Sequence, residues 1–170
     1  MNTRRGGPDP WLSVVRIALG LWFVKAAVTK LGLVWIGGRV PFFGANERFL
    51  WFQAKRIAEW AATPEIAGWY RGFLESVVLP HAATFAHMQA LGETAAGLGL
   101  FLGLFTPVSG GLALFLTLNY ALATFHTGFC QQGFHFLLGV CLIAVMFGPG
   151  ARRYGVDGWR KAPRPALSLT

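Results

Sequence analysis

The hydrophobic positions of the chain gather in four long runs that are separated by more polar connections. A helix rises about 1.5 Å per residue, so about 20 apolar residues cross the hydrocarbon core of a bilayer. The four runs therefore predict four transmembrane helices, at about residues 11–34, 85–105, 107–125 and 134–147.

Residues 36–83 form an insert that is too polar to cross a bilayer and too aromatic for a disordered linker. Residues 46–62 carry an apolar helical face with charges elsewhere, which predicts an amphipathic helix on the membrane surface. Thr63 and Pro64 predict the start of a second short helix, with Thr63 as its N-cap, and Pro80 is expected to close the segment. We therefore expect two short helices that cap the bundle.

The composition excludes an ordinary soluble domain. The 170 residues are 54% hydrophobic and 13% charged, with a mean hydropathy of +0.48. We expect one domain over residues 1–170: an all-α integral membrane protein, a four-transmembrane-helix bundle with an outer amphipathic helical insert between spans one and two.

The net charge of +8 arises largely from basic residues near the two termini. Basic segments beside apolar spans favour the cytoplasmic side of a membrane, so we expect both termini and the basic tail 151–170 to be cytoplasmic and the insert to lie outside. The basic residues do not form a stripe with interleaved aromatics, so no nucleic-acid partner is expected. The residues concerned are Arg4, Arg5, Arg152, Arg153, Arg160, Lys161 and Arg164.

Neither a metal nor haem is expected. His126, Cys130 and His135 have no fourth ligand nearby in the sequence, and two histidines alone are a weak haem signal. Cys130 and Cys141 are not spaced as a redox C-x-x-C pair.

One carboxylate, Glu93, lies inside the second apolar run. An ionised group inside a membrane is costly and faces a partner or a polar cavity. Counted from the expected outer helix ends, Glu93 lies about seven residues deep and Lys30 about four, so both fall in the outer half. By the same count, a polar pocket is expected there from Glu93, Lys25, Lys30, Asn119, Tyr120, His126 and His135.

Purely structural interpretations of the same residues stay open. The pair of Glu93 with a lysine also fits a structural lock between helices. The histidines also fit ordinary interfacial residues, and Arg16 fits a side chain that snorkels to the head groups.

Three stretches resemble the DoxX/DoxD family of membrane proteins: residues 16–31 (RIALGLWFVKAAVTKL), 91–106 (LGETAAGLGLFLGLFT) and 150–157 (GARRYGVD). The insert with WYRGFLESVVLP at residues 69–80 looks more like the DoxD branch. The resemblance implies a four-helix membrane bundle, a bacterial or archaeal inner membrane, and the small subunit of a thiosulfate:quinone oxidoreductase. By position, Arg16, Lys30 and Glu93 match the charged positions of the family.

Two functional hypotheses follow. In the first, the chain is a membrane subunit of a quinone-linked redox system. Glu93, Lys30 and His126 act on the quinone, and Lys25, Asn119, Tyr120 and His135 bind it. In the second, it is a non-catalytic accessory subunit that docks other membrane subunits through small residues on its helices. The residues leave open whether the chain is an enzyme. A transporter is less favoured, because the spans show neither a repeat nor a broken helix.

Overall fold

The computed structural model describes residues 10–36 and 39–161, and this part of the chain is mostly helical. In chain order the elements are α1 (Trp11–Val28), β1 (Leu31–Ile36), β2 (Val40–Ala45), α2 (Glu47–Ala61), α3 (Gly68–Phe73), α4 (Ala82–Leu102), α5 (Thr106–Ala123), α6 (Phe129–Phe147) and α7 (Val156–Lys161).

The four long helices α1, α4, α5 and α6 form an antiparallel bundle. Helix α4 packs against α1 and α5, and α6 packs against α5 and α1, so the four close into a ring. Gly97 lets α1 and α4 approach closely, since a Cβ atom there would lie 2.7 Å from the backbone nitrogen of Val24. We call the end that carries α2, α3 and the strands the insert end, and the opposite end, which carries α7, the tail end.

The outer surface of the bundle is apolar. Leucine, alanine and valine fill the space between the helices, but large side chains such as Trp22, Phe115 and Phe136 remain largely exposed on its outside. An exposed apolar surface of this size on the bundle requires another apolar medium around it. Within the described residues, three helices are long and apolar enough to span a membrane: α1, α5 and α6. These features make the chain a membrane protein.

The prediction of an all-α chain is wrong at one place. Helix α1 ends at Val28, six residues before the expected end of the first span. Residues 31–36 instead pair antiparallel with residues 40–45, from Leu31 opposite Ala45 to Ile36 opposite Val40. The base of this hairpin is buried because Ala45 and Leu31 pack against Phe49 and neighbouring alanines. The segment LGLVWI is also rich in residues that favour strands.

The insert confirms one predicted helix and corrects the other. Helix α2 matches the predicted range, and the Asn46 side chain caps it by accepting a hydrogen bond from the Phe49 N–H at 2.8 Å. The second helix begins at Gly68, so Thr63 is not its N-cap. Pro80 does not close the segment either, because it lies at the second position of a 3-10 turn, where its missing N–H costs nothing, and α4 follows at once.

Two other boundaries shift. Helix α4 spans Ala82–Leu102 rather than residues 85–105. Helix α6 begins at Phe129, five residues before the predicted start of span four, so much of the expected outer loop is helical. The start of the tail packs on the bundle, since Ala151 is fully buried, and α7 contacts the turn before it. The predicted basic positions Arg4, Arg5 and Arg164 lie outside the described residues.

Arg16 joins the tail to the bundle. Its side chain is fully buried, so the expectation that it snorkels to the head groups is wrong. Its Nε donates to the carbonyl oxygen of Ala151 at 2.8 Å and its Nη2 to that of Tyr154 at 2.5 Å. Its Nη1 donates to the last carbonyls of α4, those of Leu100 and Phe101. One guanidinium therefore satisfies the end of α4 and the returning tail together.

Asp157, which lies in α7 of the tail, caps the N-terminus of helix α5. Its carboxylate accepts hydrogen bonds from the Phe105 N–H at 3.0 Å and the Thr106 N–H at 2.7 Å, and from the Thr106 hydroxyl at 2.8 Å. Burial by itself raises the pKa of this carboxyl, but these hydrogen bonds and the charge of Arg152 outweigh it and hold the pKa below its ordinary value. The start of α5 thus receives an anion where the helix dipole favours one.

Candidate functional site

A polar cluster lies inside the insert end of the bundle, and four parts of the chain build it. Lys30 follows α1, Glu93 and Gln89 lie on consecutive turns of α4, and Tyr120 lies near the end of α5. Gln53 reaches the cluster from α2. The cluster is therefore the place where the bundle and the insert meet.

An ion pair is the centre of the cluster. The Lys30 ammonium lies 2.5 Å from one carboxylate oxygen of Glu93 and 2.6 Å from the other. Glu93 is 1% exposed, whereas the Lys30 side chain is 18% exposed. The predicted pairing of Glu93 with a lysine agrees with this geometry.

A series of hydrogen bonds connects the insert with the Glu93 carboxylate. The Gln53 side-chain amide donates to that of Gln89 at 2.7 Å, and Gln89 donates to the Tyr120 hydroxyl. The Tyr120 hydroxyl in turn donates to Glu93. Lys30 also lies 3.2 Å from that hydroxyl, so its three N–H groups are all engaged within the cluster.

The cluster forms one wall of a cavity of about 410 Å³, which we call the polar cavity. His135 and Gln131 of α6 line it, and the His135 Nε2 lies 3.4 Å from the Gln131 side-chain nitrogen. The buried His135 Nδ1 has no hydrogen-bond partner among the described residues. Arg56 also lines the cavity, with its guanidinium 5.0 Å from the Phe52 ring centre. Other aromatic lining residues are Trp22, Phe23, Phe49, Trp60 and Phe134.

A second, more apolar cavity of about 260 Å³ lies between the insert and helices α4 and α5, and we call it the apolar cavity. Tyr70 of α3 lines it and donates a hydrogen bond to the Asn119 carbonyl at 3.4 Å. Burial raises the pKa of the Tyr70 hydroxyl, so this residue stays neutral. Its other lining residues include Phe73, Leu74, Val78, Phe85, Met88, Gly92, Leu112, Phe115 and Leu116.

The structure brings together four of the seven predicted site residues. Glu93, Lys30, Tyr120 and His135 line the polar cavity. The remaining three do not, and each is placed elsewhere. Lys25 and Asn119 lie on helix faces that point away from this cavity, which depth alone does not determine, and His126 lies in the turn after α5.

Lys25 is exposed on the outer surface of α1, where its ammonium lies 5.5 Å from the Trp22 ring centre. Asn119 lines the apolar cavity, and its side-chain amide donates to the Phe115 carbonyl one turn earlier. His126 lies in the turn between α5 and α6, and its buried Nδ1 has no hydrogen-bond partner among the described residues. The expected roles of Lys25 and His126 at the pocket are not supported by these positions.

Three glutamines of the site were missed in the sequence. Gln89 precedes Glu93 by four residues, so the helical period alone places it on the same face as Glu93. Gln131 and His135 are related in the same way on α6. Gln53 had no such signal, because it belongs to the insert and reaches Gln89 only through the tertiary packing of α2 on α4.

Metal ligation has no support in this site. Within residues 10–36 and 39–161, no three His, Cys, Asp or Glu side chains group as a metal site. The polar groups that line the polar cavity are one carboxylate, one ammonium, one guanidinium, one phenol, an imidazole, amides and threonine hydroxyls.

Comparison with known proteins agrees with the resemblance in the sequence. The model of a family described as "TQO small subunit DoxD" matches residues 62–162, which is more than half of the chain. Searches of curated proteins and of solved structures gave no match. The matched part includes α3, α4, α5, α6 and α7, and therefore Glu93, Gln89, Tyr120 and His135. The chain belongs to the DoxD family.

Proposed function

We propose that this chain is a DoxD-type membrane subunit of a quinone-linked oxidoreductase and that its polar cavity receives a quinone head group. One observation carries the proposal. A buried carboxylate is hydrogen-bonded to two proton-bearing groups, the Lys30 ammonium and the Tyr120 hydroxyl, on the wall of a cavity. Buried ionisable groups that face a cavity inside a membrane bundle are typical of proton pathways.

The size and lining of the polar cavity fit a small aromatic ring. Its volume of about 410 Å³ lies within the range of roughly 300–1,000 Å³ that is usual for small-molecule sites. Trp22, Phe49 and Phe134 supply flat apolar walls. His135 lines the cavity beside Gln131, so its imidazole can donate a hydrogen bond to a carbonyl oxygen of the ligand.

A bound quinone supplies the capacity to accept two electrons and two protons. The residues of the chain have the following roles in the proposal. Lys30 provides positive charge where negative charge develops on a carbonyl oxygen. Tyr120 and Glu93 exchange protons with the cavity, and Gln89 holds the Tyr120 hydroxyl in position. Electrons arrive from a partner subunit or from an outer-side sulfur compound, since the sequence contains no recognisable redox-cofactor motif.

In this proposal α4 is the fourth span. It has 21 residues and packs between α1 and α5, two helices that are apolar enough to cross a membrane. Its polar residues His87, Gln89 and Glu93 lower its hydropathy, but Gln89 and Glu93 face protein partners rather than lipid. The tail end then lies at the cytoplasmic face of a bacterial or archaeal inner membrane, and the insert end lies outside.

Glu93→Gln tests the proposal, because it keeps the shape of the side chain and removes the exchangeable charge. We expect the rate of quinone reduction by the assembled complex to fall by about 10²–10⁴-fold, the range for loss of an acid–base group. Insertion into the membrane and folding should persist. The matched control is Glu75→Gln, which removes an exposed carboxylate of the insert and should leave the rate unchanged.

A non-catalytic accessory role is the second candidate, and one observation favours it. Every N–H group of Lys30 is already engaged by Glu93 and Tyr120, as in a lock that holds α1, α4 and α5 in register. This role predicts that Glu93→Gln reduces the amount of assembled complex but leaves its rate per complex unchanged. Co-purification of the partner subunits and rate per assembled complex therefore separate the two roles.

A further inference from the structure

We propose that the tail end of the bundle binds the phosphate head group of an anionic membrane lipid through Arg152 and Arg160. The inference goes beyond the proposed function and does not depend on it, because these residues lie at the end of the bundle opposite the polar cavity. It assigns a ligand of stated chemistry to a cavity that the proposed function does not use.

The site is a third cavity, of about 240 Å³, beside the start of α5, and we call it the tail cavity. Its lining residues come from the first turn of α5 and from the tail: Phe105, Pro107, Val108, Arg152, Asp157 and Arg160. Sites that enclose a whole small molecule usually measure roughly 300–1,000 Å³. The smaller tail cavity therefore suits a head group whose remaining part lies outside it.

The charges of the tail cavity favour an anion. Two guanidinium groups, those of Arg152 and Arg160, line it together with one carboxylate, that of Asp157. The carboxylate already accepts three hydrogen bonds from the start of α5. The Arg152 Nη2, in contrast, makes only a long hydrogen bond of 3.4 Å, to the Met146 carbonyl, and Arg160 is exposed. Both arginines therefore retain donors for phosphate oxygens, which guanidinium groups bind strongly.

The tail cavity lies at the level of the lipid head groups. Helix α5, which is long and apolar enough to span a membrane, begins at Thr106, beside this cavity. Its 18 residues rise about 27 Å, close to the thickness of the hydrocarbon core of about 30 Å, so its first turn lies near the membrane boundary. Tyr154 and Trp159, 59% and 83% exposed, lie at the same end, and such residues concentrate at the head-group level.

The apolar rim of the tail cavity favours a lipid over a free phosphate ion. Phe105 and Val108 line the cavity and are 60% and 72% exposed. Phe105 has a φ of 47°, a left-handed conformation that residues with a side chain rarely adopt, and its N–H donates to Asp157 at 3.0 Å. A lipid contacts the arginines with its phosphate and this rim with its hydrocarbon, whereas a free phosphate ion contacts the arginines alone. Basic pockets beside membrane spans are typical sites for anionic head groups.

Arg160→Gln tests the proposal, because Arg160 is exposed and its replacement leaves the hydrogen bonds of Asp157 in place. The experiment measures binding of fluorescent phosphatidylglycerol to the purified full chain in an uncharged detergent. Fluorescent phosphatidylcholine with the same acyl chains is the second probe. One basic residue near an anionic lipid surface strengthens binding about fivefold. We therefore expect Arg160→Gln to weaken phosphatidylglycerol binding about fivefold, and its combination with Arg152→Gln to weaken it about 25-fold. Binding of phosphatidylcholine should change less than twofold.

Arg48→Gln is the matched control, because it removes one exposed arginine from the insert end, outside the tail cavity. It should change phosphatidylglycerol binding less than twofold, since its charge lies more than a Debye length from the tail cavity. Melting temperatures of the variants within a few degrees of the unmodified chain show that the fold persists. Arg160→Gln alone decides the question if the double variant does not fold.

Three outcomes would overturn the proposal. Equal weakening by Arg160→Gln and Arg48→Gln would mean that the lipid responds only to the net charge of the protein. Equal binding of phosphatidylglycerol and phosphatidylcholine to the unmodified chain would mean that the tail cavity does not select an anionic head group. Displacement of phosphatidylglycerol by an equal concentration of inorganic phosphate would assign the tail cavity to a free phosphate ion instead of a lipid.

Discussion

Replacement of Lys30 should destabilise the folded protein much more than replacement of its partner Glu93. Lys30→Met leaves the Glu93 carboxylate, 1% exposed, without its cation. Glu93→Gln leaves the Lys30 ammonium at a position that is 18% exposed and borders a cavity. Lys30→Met leaves the Glu93 carboxylate unpaired inside the protein, whereas Glu93→Gln leaves the Lys30 ammonium unpaired where water reaches it.

Removal of one partner of a buried pair costs about 3–5 kcal/mol. Tyr120 and Gln89 still donate to the Glu93 carboxylate in Lys30→Met, so we expect the lower end, about 3 kcal/mol. For a chain of this length, this corresponds to a fall in melting temperature of about 6–12 °C. For Glu93→Gln we expect about 1 kcal/mol, because an amide retains part of the hydrogen bonding.

The assay is a double-mutant cycle on thermal unfolding in one detergent at pH 7. The double variant, with Lys30→Met and Glu93→Gln, should be about 2 kcal/mol more stable than the sum of the single changes predicts. Equal losses in the two single variants, together with a coupling below about 0.5 kcal/mol, would refute the reasoning. That result would mean that water reaches the carboxylate and that the pair is not a buried one.

Three further predictions concern the two ends of the bundle. Arg16→Met leaves buried carbonyl groups of α4 and the tail without their donor, so we expect a loss of about 3 kcal/mol in thermal unfolding and faster proteolysis between residues 149 and 161. Asp157 has a pKa below its ordinary value in the folded protein, so its contribution to stability is present above about pH 4 and is lost as the pH falls through the folded pKa. Melting temperatures of Asp157→Asn and the unmodified chain should therefore converge as the pH is lowered through that range. Gln89→Leu breaks the hydrogen-bonded link between Gln53 and Tyr120, so we expect the free energy of unfolding to fall by about 1–3 kcal/mol in denaturant or thermal unfolding. An unchanged free energy of unfolding would contradict this prediction and would mean that water replaces the amide.

Apolar runs identified the four long helices, and a depth count brought Lys30 and Glu93 to one level. Both inferences follow from the rise of a helix and the cost of charge in lipid, which are local properties of a sequence. The family resemblance was confirmed over residues 62–162. Depth along a helix does not, however, determine which way a side chain points. Lys25 was therefore assigned to the pocket although it lies outside.

The hairpin shows a second limit of pattern reading. Residues 11–36 form one nearly continuous apolar run, so hydrophobicity alone does not end the helix at Val28. The end is determined by residues 40–45, which pair with residues 31–36, and by the packing of Ala45 on Phe49. Strand pairing depends on contacts between separate segments, whereas helix formation depends on near neighbours.

By itself, the sequence determined a membrane protein of the DoxD family, with a carboxylate and a cation that had to meet. Only the tertiary structure decided what surrounds each charge. Arg16 and Lys30 are both cations at an apolar segment, yet one is fully buried against backbone carbonyls and the other borders a cavity beside Glu93. The cost of a charge in an apolar medium demands partners, but several partners can meet that demand, and folding selects among them through contacts between distant residues.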